Sequence, residues 1–314
     1  MAMKKINNCS VAVLVFLLGI AILFVQVTYA QGTPVSLKWC IETAKEKYFP
    51  GEPILLKIII SNAGQQEANI DFGIDGIESF SIEIKNSFDE IVEKGGHIHH
   101  FGASFSEPVV ISPDQTIEKL IVMNQWCSSL LSPGLYTVVC RVDQPGDYYF
   151  EKILLAEGEN YKTVTKRHYL PMVTLEMPIQ ISSPDEGEFN RILKQLAERA
   201  FRDMVENVTE FEDRQIDREM IAFSESELAI PYQLKLLKIT QSTRIKLGAI
   251  NSLAKTGKLQ AAVGLKDFYE HAANGMADVA PQTLEAIHKL RETGKPEILE
   301  ATEEIIEKHQ PEKL

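Results

Sequence analysis

Apolar and polar residues alternate in short runs from residue 35 to about residue 181. A period of two is typical of strands that bury one face, and turn signals rich in Pro, Gly and Asn separate the runs. Roughly seven runs at this spacing, with no helical pattern between them, predict a two-sheet antiparallel sandwich of immunoglobulin-like type; a closed barrel is the alternative. We therefore assign residues 31–183 to an N-terminal β-domain.

The spacing of apolar residues changes to three and four from residue 186 onward. This spacing is typical of amphipathic α-helices. A short linker precedes them, in which either Ser183 or Asp185 can cap the first helix. Residues 184–314 are therefore predicted to form a helical C-terminal domain.

Two segments of this helical domain repeat each other. Residues 249–258, AINSLAKTGK, and residues 286–295, AIHKLRETGK, are identical at six of ten positions. In each, Ala, Ile and Leu lie on one helical face, and Gly257 and Gly294 stand where a helix end takes a left-handed residue. A further helix is predicted after each glycine. The unit is therefore a helix, a Thr-Gly-Lys turn and a second helix, repeated after 37 residues.

The unit resembles a HEAT or HEAT-like repeat over residues 240–310. That resemblance implies a short α-solenoid, a class of structure that binds partners through extended surfaces. Such a stack needs ~3 or more units, so helices around residues 228–239 and 186–208 are expected to complete or cap it. The chain lacks the clear Asp and Arg ladder of that family, and an irregular helical bundle is the alternative.

Three segments of the β-domain also resemble a known layout. YFPGEPILLKIIISNAG, SPGLYTVVCRV and VTLEMPIQIS are similar to strands of the immunoglobulin-like sandwich of bacterial envelope proteins, including the domain type called intracellular proteinase inhibitor. These motifs mark a fold rather than a reaction. The chain departs from the compact form by an insertion, residues 143–168, whose length allows a hairpin arm.

The N-terminus has the order of a secretory signal peptide. Lys4 and Lys5 precede an apolar run of 17 residues, 11–27, and then the small-x-small sequence Thr28-Tyr29-Ala30. Residues 1–30 are therefore predicted to be a signal peptide that is cleaved between Ala30 and Gln31. The protein is expected to be exported to the periplasm or the extracellular space. An uncleaved signal would anchor it, because ~17 residues is the lower limit for a membrane span.

The net charge of the chain and its lack of certain sequence motifs exclude some classes of partner and cofactor. Without residues 1–30 the chain has 30 basic and 44 acidic side chains, a net charge of −14. Such a surface repels a phosphate backbone, which argues against nucleic acid. Contact with a membrane is expected only through the signal segment. No cofactor is predicted, since the sequence has no phosphate-binding loop, dinucleotide fingerprint or G-x-S-x-G elbow.

Three cysteines lie beyond the signal segment: Cys40, Cys127 and Cys140. An oxidising compartment allows one disulfide among them and leaves one thiol. Cys140 alternates with core residues and is expected to face inward, Cys40 is expected to face outward, and Cys127 lies in a loop. Cys40 with Cys127 is the favoured pair of the three that are possible.

His97, His99 and His100 cluster in the segment GGHIHHFG. His97 and His99 would point the same way on a strand, so both can meet one metal ion. A metal site needs a third ligand: Glu93 is the nearest carboxylate, and His168 would approach only if the insertion folded back. A polar loop with exposed imidazoles is the favoured interpretation, and a metal-dependent enzyme is the alternative.

The function that these patterns favour is a non-enzymatic secreted or envelope protein that acts as a scaffold for protein–protein interaction. The concave face of the helical domain is the expected docking groove, with a basic edge formed by Lys255, Lys258, Lys289 and Lys295. The simpler explanation for these lysines is their favourable position at helix C-termini. A proteinase inhibitor that acts through a sandwich loop, within residues 95–106 or 143–168, is the alternative function.

We expect the exported protein to begin at Gln31, because signal peptidase requires small residues at the first and third positions before the cleaved bond. N-terminal sequencing of the protein secreted from a bacterial host measures this. Ala30→Tyr should leave residues 1–30 attached, whereas Tyr29→Phe, at the unconstrained middle position, should not. Wild-type protein that retains the apolar run would contradict the prediction and indicate an anchor.

Overall fold

Strands and helices occupy separate halves of this chain. A computed structural model describes residues 35–73, 76–95, 108–142, 148–157, 160–169, 172–183, 185–202, 208–272, 276 and 279–309. Within them, strands run from Leu37 to Ile181 and α-helices from Glu186 to His309. The predicted order, a β region followed by an α region, is confirmed.

The described strands form three sheets. In chain order the strands are β1 (Leu37–Thr43), β2 (Lys47–Tyr48), β3 (Leu55–Asn62), β4 (Ala68–Ile70), β5 (Phe80–Asn86), β6 (Ile91–Gly95), β7 (Val109–Ile111), β8 (Thr116–Val122), β9 (Gly134–Val142), β10 (Tyr148–Glu157), β11 (Asn160–Tyr169) and β12 (Val173–Ile181). The sheets have the orders β1-β3-β8, β11-β10-β4-β7 and β2-β12-β9-β5-β6. Pairing is antiparallel except between β2 and β12.

Buried and exposed side chains alternate along the strands in the same way as the apolar and polar residues that predicted them. In β3, Leu56, Ile58 and Ile60 are fully buried, while the residues between them are partly exposed. One hydrophobic cluster combines side chains from all three sheets, such as Trp39, Ile111 and Phe80. The core of the β region therefore lies where the inward faces of the three sheets meet.

The structure has three sheets where the pattern predicts two. Among the described strands, β4 and β7 pair with each other and not with the strands of the other two sheets. The hairpin β10–β11 of the insertion extends this third sheet, because Tyr148 of β10 pairs with Asn69 of β4. The immunoglobulin-like character of the β region stays a prediction.

Seven α-helices follow in the described part of the chain: α1 (Glu186–Ala200), α2 (Val208–Ala222), α3 (Ile230–Ile239), α4 (Thr243–Thr256), α5 (Leu259–Ala272), α6 (Ala280–Arg291) and α7 (Pro296–His309). Asp185 caps α1, as one of the two predicted alternatives, by accepting a hydrogen bond from the Glu188 backbone N–H at 3.0 Å. Of the helices described, none has the length and apolarity that crossing a membrane requires.

Each helix contacts the next one along the chain, from α1 and α2 to α6 and α7. Helices two positions apart also pack together: α4 lies against α2 and α6, and α5 lies against α3 and α7. The repeat seen in the sequence therefore corresponds to two adjacent helix pairs. Its assignment to the HEAT family stays a prediction.

The two Thr-Gly-Lys turns lie side by side. Gly257 and Gly294 have φ of 59° and 68°, the left-handed conformation expected after a helix. The Lys295 ammonium donates a hydrogen bond to the Gly257 carbonyl at 2.6 Å. A Cβ atom at Gly257 would lie 3.4 Å from the Thr293 methyl group. The second turn therefore satisfies a carbonyl at the end of α4 in the first.

Gly257→Ala is expected to reduce the free energy of unfolding by about 1–2 kcal/mol, because an L-residue is disfavoured at positive φ. Urea unfolding followed by circular dichroism measures the change. Gly187→Ala, inside the first turn of α1 where φ is not positive, is the matched control and should be neutral or stabilising. Equal losses in the two variants would contradict this interpretation of the turn.

Candidate functional site

Several predicted site residues lie outside the described residues: Ala30, Gln31, His97, His99 and His100. The signal cleavage site and the histidine cluster therefore stay predictions. Within the part of the chain that is described, no three His, Cys, Asp or Glu side chains stand close enough to hold a metal ion.

Glu93, which the sequence offered as the nearest carboxylate ligand, is engaged elsewhere. It is buried on β6, and its two oxygens accept hydrogen bonds from the backbone N–H groups and hydroxyls of Ser128 and Ser129. Burial alone would raise the pKa of Glu93, but these hydrogen bonds outweigh it and the pKa is lowered. The carboxylate therefore anchors the loop 127–129.

The predicted Cys40–Cys127 disulfide is not formed, since Cys40, Cys127 and Cys140 are all free thiols. Cys40 is half-exposed on β1 and Cys140 is buried on β9, so the predicted facing of both is confirmed. Cys127 is the residue that differs. It follows the 3-10 helix Met123–Trp126 and turns its side chain into the β core instead of toward the outward face of β1.

The lysines of the predicted basic edge have intramolecular partners. Lys258 forms an ion pair with Glu227, and Lys289 forms one with Glu285 at 2.8 Å. Lys295 donates to the carbonyl of the neighbouring turn, as described above. Lys255, near the C-terminus of α4, reaches across to the β region.

The β region and the helices meet at a group of polar residues that we call the junction: Gly51, Glu93, 127–129, Ser224, Glu225 and Lys255. Its centre is the carbonyl of Gly51, which accepts hydrogen bonds from the Glu225 backbone N–H at 3.0 Å and the Ser224 hydroxyl at 3.1 Å. Gly51 is 173 residues from Ser224 in sequence. These two bonds therefore tie the segment after α2 to the turn before β3.

Gly51 is required here by both conformation and space. Its φ is 75°, a region that L-residues rarely adopt. A Cβ atom would also come 3.1 Å from the Glu225 carbonyl carbon and 3.1 Å from Leu130 Cδ2. The turn Pro-Gly-Glu, which the sequence marked only as a strand boundary, is thus the docking point for the helices.

The second tie between the two regions is an ion pair. The Lys255 ammonium binds the Glu225 carboxylate and donates to the Cys127 carbonyl at 2.7 Å. The Glu225 side chain is 2% exposed and that of Lys255 is 31% exposed. Burial raises the pKa of Glu225, and the attraction of Lys255 only partly opposes that effect.

Helix α3 holds the segment after α2, which belongs to the junction, in place. The side-chain amide of Gln233, fully buried in α3, donates to the carbonyl of Ser224 at 2.6 Å and to that of Ile221 at 3.1 Å. A buried carbonyl without a donor is costly, so this amide replaces the hydrogen bonds that end with α2. The position of Glu225 is therefore determined by α2, α3 and the Gly51 turn together.

The junction encloses a cavity of about 10 Å³, with Glu52, Cys127 and Glu225 among its lining residues. That volume is about what one water molecule requires. Burial first, and then the nearby carboxylates, raise the pKa of Cys127 to about 12, so the thiol is protonated at neutral pH. The arrangement is suited to hold two regions together and gives Cys127 no nucleophilic character.

A separate, open groove of about 460 Å³ lies on the five-stranded sheet, at the end where β5 finishes and β9 begins. Leu135, which lines it, is 62% exposed. Phe88, in the turn after β5, is 82% exposed, and its N–H donates to the side-chain carbonyl of Asn86 at the groove wall. The remaining lining residues are Glu46, Ser87, Tyr136, Thr137, Pro178, Ile179 and Gln180.

Sequence reasoning found Lys255 but not its partners. The partners are 30 and 128 residues away along the chain, and no local pattern links a lysine at a helix end to them. The groove was missed because its lining residues come from β5, β9 and β12, which are not consecutive, and its apolar residues come from β9 and β12. Leu135 gave no distinct signal, because Val139 on the same side of β9 is apolar as well and is buried.

Comparison with known proteins gives no family for this chain. No family model matches it, and no curated protein matches it. Among solved structures, the chain is similar to the sporulation control protein Spo0M of Bacillus subtilis, with 15% identity, over 52% of this chain and 54% of that chain, at a TM-score of 0.24. The native conformation of Escherichia coli alpha-2-macroglobulin is similar at 10% identity, over 89% of this chain and 22% of that chain, at a TM-score of 0.21. The chain thus spans about half the length of the first and about a fifth of the second, and TM-scores this low carry no argument about fold or function.

Lys255→Met is expected to reduce the free energy of unfolding by about 2–4 kcal/mol at neutral pH, because it leaves the buried Glu225 carboxylate without a cation. Urea unfolding measures the loss. Lys258→Met is the matched control, since its pair with Glu227 is exposed on both sides and should contribute less than about 1 kcal/mol. Similar losses in the two variants would show that the junction pair contributes no more than a surface pair.

Proposed function

We propose that this protein is a non-enzymatic secreted or envelope protein that binds a protein partner through its surface. In this proposal the β region is an immunoglobulin-like sandwich and the helices are HEAT-like repeats. The proposed export signal places it in the periplasm or outside the cell. The observation that carries the binding function is the groove on the five-stranded sheet, whose wall includes the 62% exposed side chain of Leu135.

Two structural details support the immunoglobulin-like assignment. The Tyr136 hydroxyl donates to the Ser132 carbonyl at 2.8 Å, four residues upstream, which is the arrangement of the tyrosine corner in such sandwiches. The first two strands also belong to different sheets, β1 with β3 and β2 with β12. Support for HEAT-like repeats comes from the adjacent helix pairs and from the Lys295 hydrogen bond between their turns.

The groove has the properties of a docking surface. Adjoining exposed apolar side chains are typical of interaction surfaces, and here Leu135 lines the depression while Phe88 follows the lining residue Ser87 in the chain. Amide and hydroxyl groups of Asn86, Thr137 and Gln180 surround it and can orient a bound segment. The basic helical edge is less suited to this role, because each of its lysines has a partner within the chain.

The helical surface was the docking site expected from the sequence, so the test compares the two regions directly. Leu135→Glu places a charge in the groove and should abolish capture of the partner by full-length protein crosslinked in the native cell envelope. Val263→Glu, on α5, is the matched control, because this aliphatic side chain is 49% exposed and lies outside the groove. Quantitative mass spectrometry of the captured proteins measures both.

Loss of capture with Val263→Glu alone would move the binding surface to the helices. If wild-type protein captures nothing above background, or both variants retain full capture, the proposed binding function at the groove is wrong. Both substitutions replace exposed side chains and should change the free energy of unfolding by less than about 0.5 kcal/mol, which circular dichroism checks.

A further inference from the structure

The junction holds an unbalanced set of buried charges. Glu93 and Glu225 are negative and Lys255 is positive, so the group has a net charge of −1 when both acids are ionised. In a region of low dielectric constant, an excess charge is costly. The state in which one proton has been taken up has no net charge and is favoured by burial.

The hydrogen bonds determine which acid takes up the proton. Glu93 accepts from two backbone N–H groups and two hydroxyls, all of which favour its ionised form. The Glu225 carboxylate has only the Lys255 ammonium as its partner among the described residues, and that ammonium is shared with the Cys127 carbonyl. Glu225 is therefore expected to take up the proton more readily than Glu93.

The other titratable groups around Glu225 are Glu52, Cys127 and Glu227. Glu52, which lines the same cavity, accepts from the Phe49 N–H at 2.9 Å and pairs with Lys45 at 2.5 Å. Cys127 remains a neutral thiol, as described above. Glu227, two residues along, faces solvent and pairs with Lys258.

We propose that the junction is a proton-sensitive latch, which holds the helices against the β region more tightly when Glu225 is neutral than when it is ionised. The Glu225 N–H binds Gly51 whatever the charge of its side chain, and a neutral carboxyl can still accept a hydrogen bond from Lys255, so protonation removes the buried excess charge without breaking either contact. The inference concerns the coupling of the two regions and is independent of the groove.

The direction of the pH effect follows from the pKa of Glu225, which burial raises above its value in the unfolded chain. Between these two pKa values the folded chain binds a proton that the unfolded chain does not. The stabilisation is complete below the unfolded pKa and is lost as the pH rises through the folded pKa. Mild acid therefore tightens this junction, opposite to the effect of acid on a carboxylate whose pKa is lowered.

The test compares urea unfolding of full-length wild-type protein, Glu225→Gln and Glu227→Gln from about pH 5 to about pH 8. We expect the urea midpoint of the wild type, relative to Glu225→Gln, to fall as the pH rises. Glu227→Gln is the matched control, because it removes an exposed glutamate two positions away, and its profile should parallel that of the wild type. Parallel profiles for the wild type and Glu225→Gln, or a midpoint that rises with pH relative to Glu225→Gln, would overturn the proposal.

A local measurement keeps the proposal testable if Glu225→Gln does not fold. Trp126 is buried beside Cys127, so its ¹⁹F resonance in protein labelled with 5-fluorotryptophan reports on the junction. In wild-type protein this resonance, assigned with Trp39→Phe, should shift in one titration step at a pH above that at which an unburied glutamate titrates. In Lys255→Met the step should move to higher pH, because the cation that favours ionised Glu225 is gone. A Trp126 resonance that does not change with pH, or a step unmoved by Lys255→Met, would refute the latch.

Discussion

The carbonyl oxygen of Gly51 is the acceptor on which the attachment of the helices to the sheets depends. Two donors from the segment after α2 converge on it, and a left-handed backbone with no side chain is needed to admit them. The Glu225–Lys255 ion pair lies beside this point and brings Lys255 onto the Cys127 carbonyl. Apolar packing of Phe49 against Phe189 of α1 adds to this attachment, while the hydrogen bonds and the ion pair fix how the end of α2 and the end of α4 meet the β region. Polar contacts of this kind are directional, so they specify one arrangement of the two regions.

The elements of this fold follow largely from the spacing of apolar residues. The alternation in β3 and β12 and the three-four spacing in α1 predict what the structure shows, because burial on one face is a local property of a strand or helix. The left-handed Gly257 and Gly294 were also predictable, since both end a helix at the same place in a repeat. These features depend on residues close together in the chain.

The errors concern contacts between distant residues. The pattern predicts two sheets, but β4 and β7 pair apart from the other two sheets, and the hairpin β10–β11 joins them through the single residue pair Tyr148 and Asn69. The Cys40–Cys127 disulfide was predicted because Cys40 faces outward, which is correct, and because Cys127 lies in a loop. The Cys127 side chain is in fact part of the core. Lys255 was recognised, but it serves the junction instead of an outer surface. Alternation and spacing contain no information about such partners, so the junction and the groove became visible only in three dimensions.

The hydrogen bond from Lys295 to the Gly257 carbonyl limits how this protein can change during evolution. Turns between helices usually tolerate insertions, because their ends are solvated and independent of one another. Here an added residue in either turn would move the lysine or its acceptor by the length of a residue, ~3 Å, beyond the reach of a hydrogen bond. The two turns are therefore expected to keep the same length in related sequences, or to change it together.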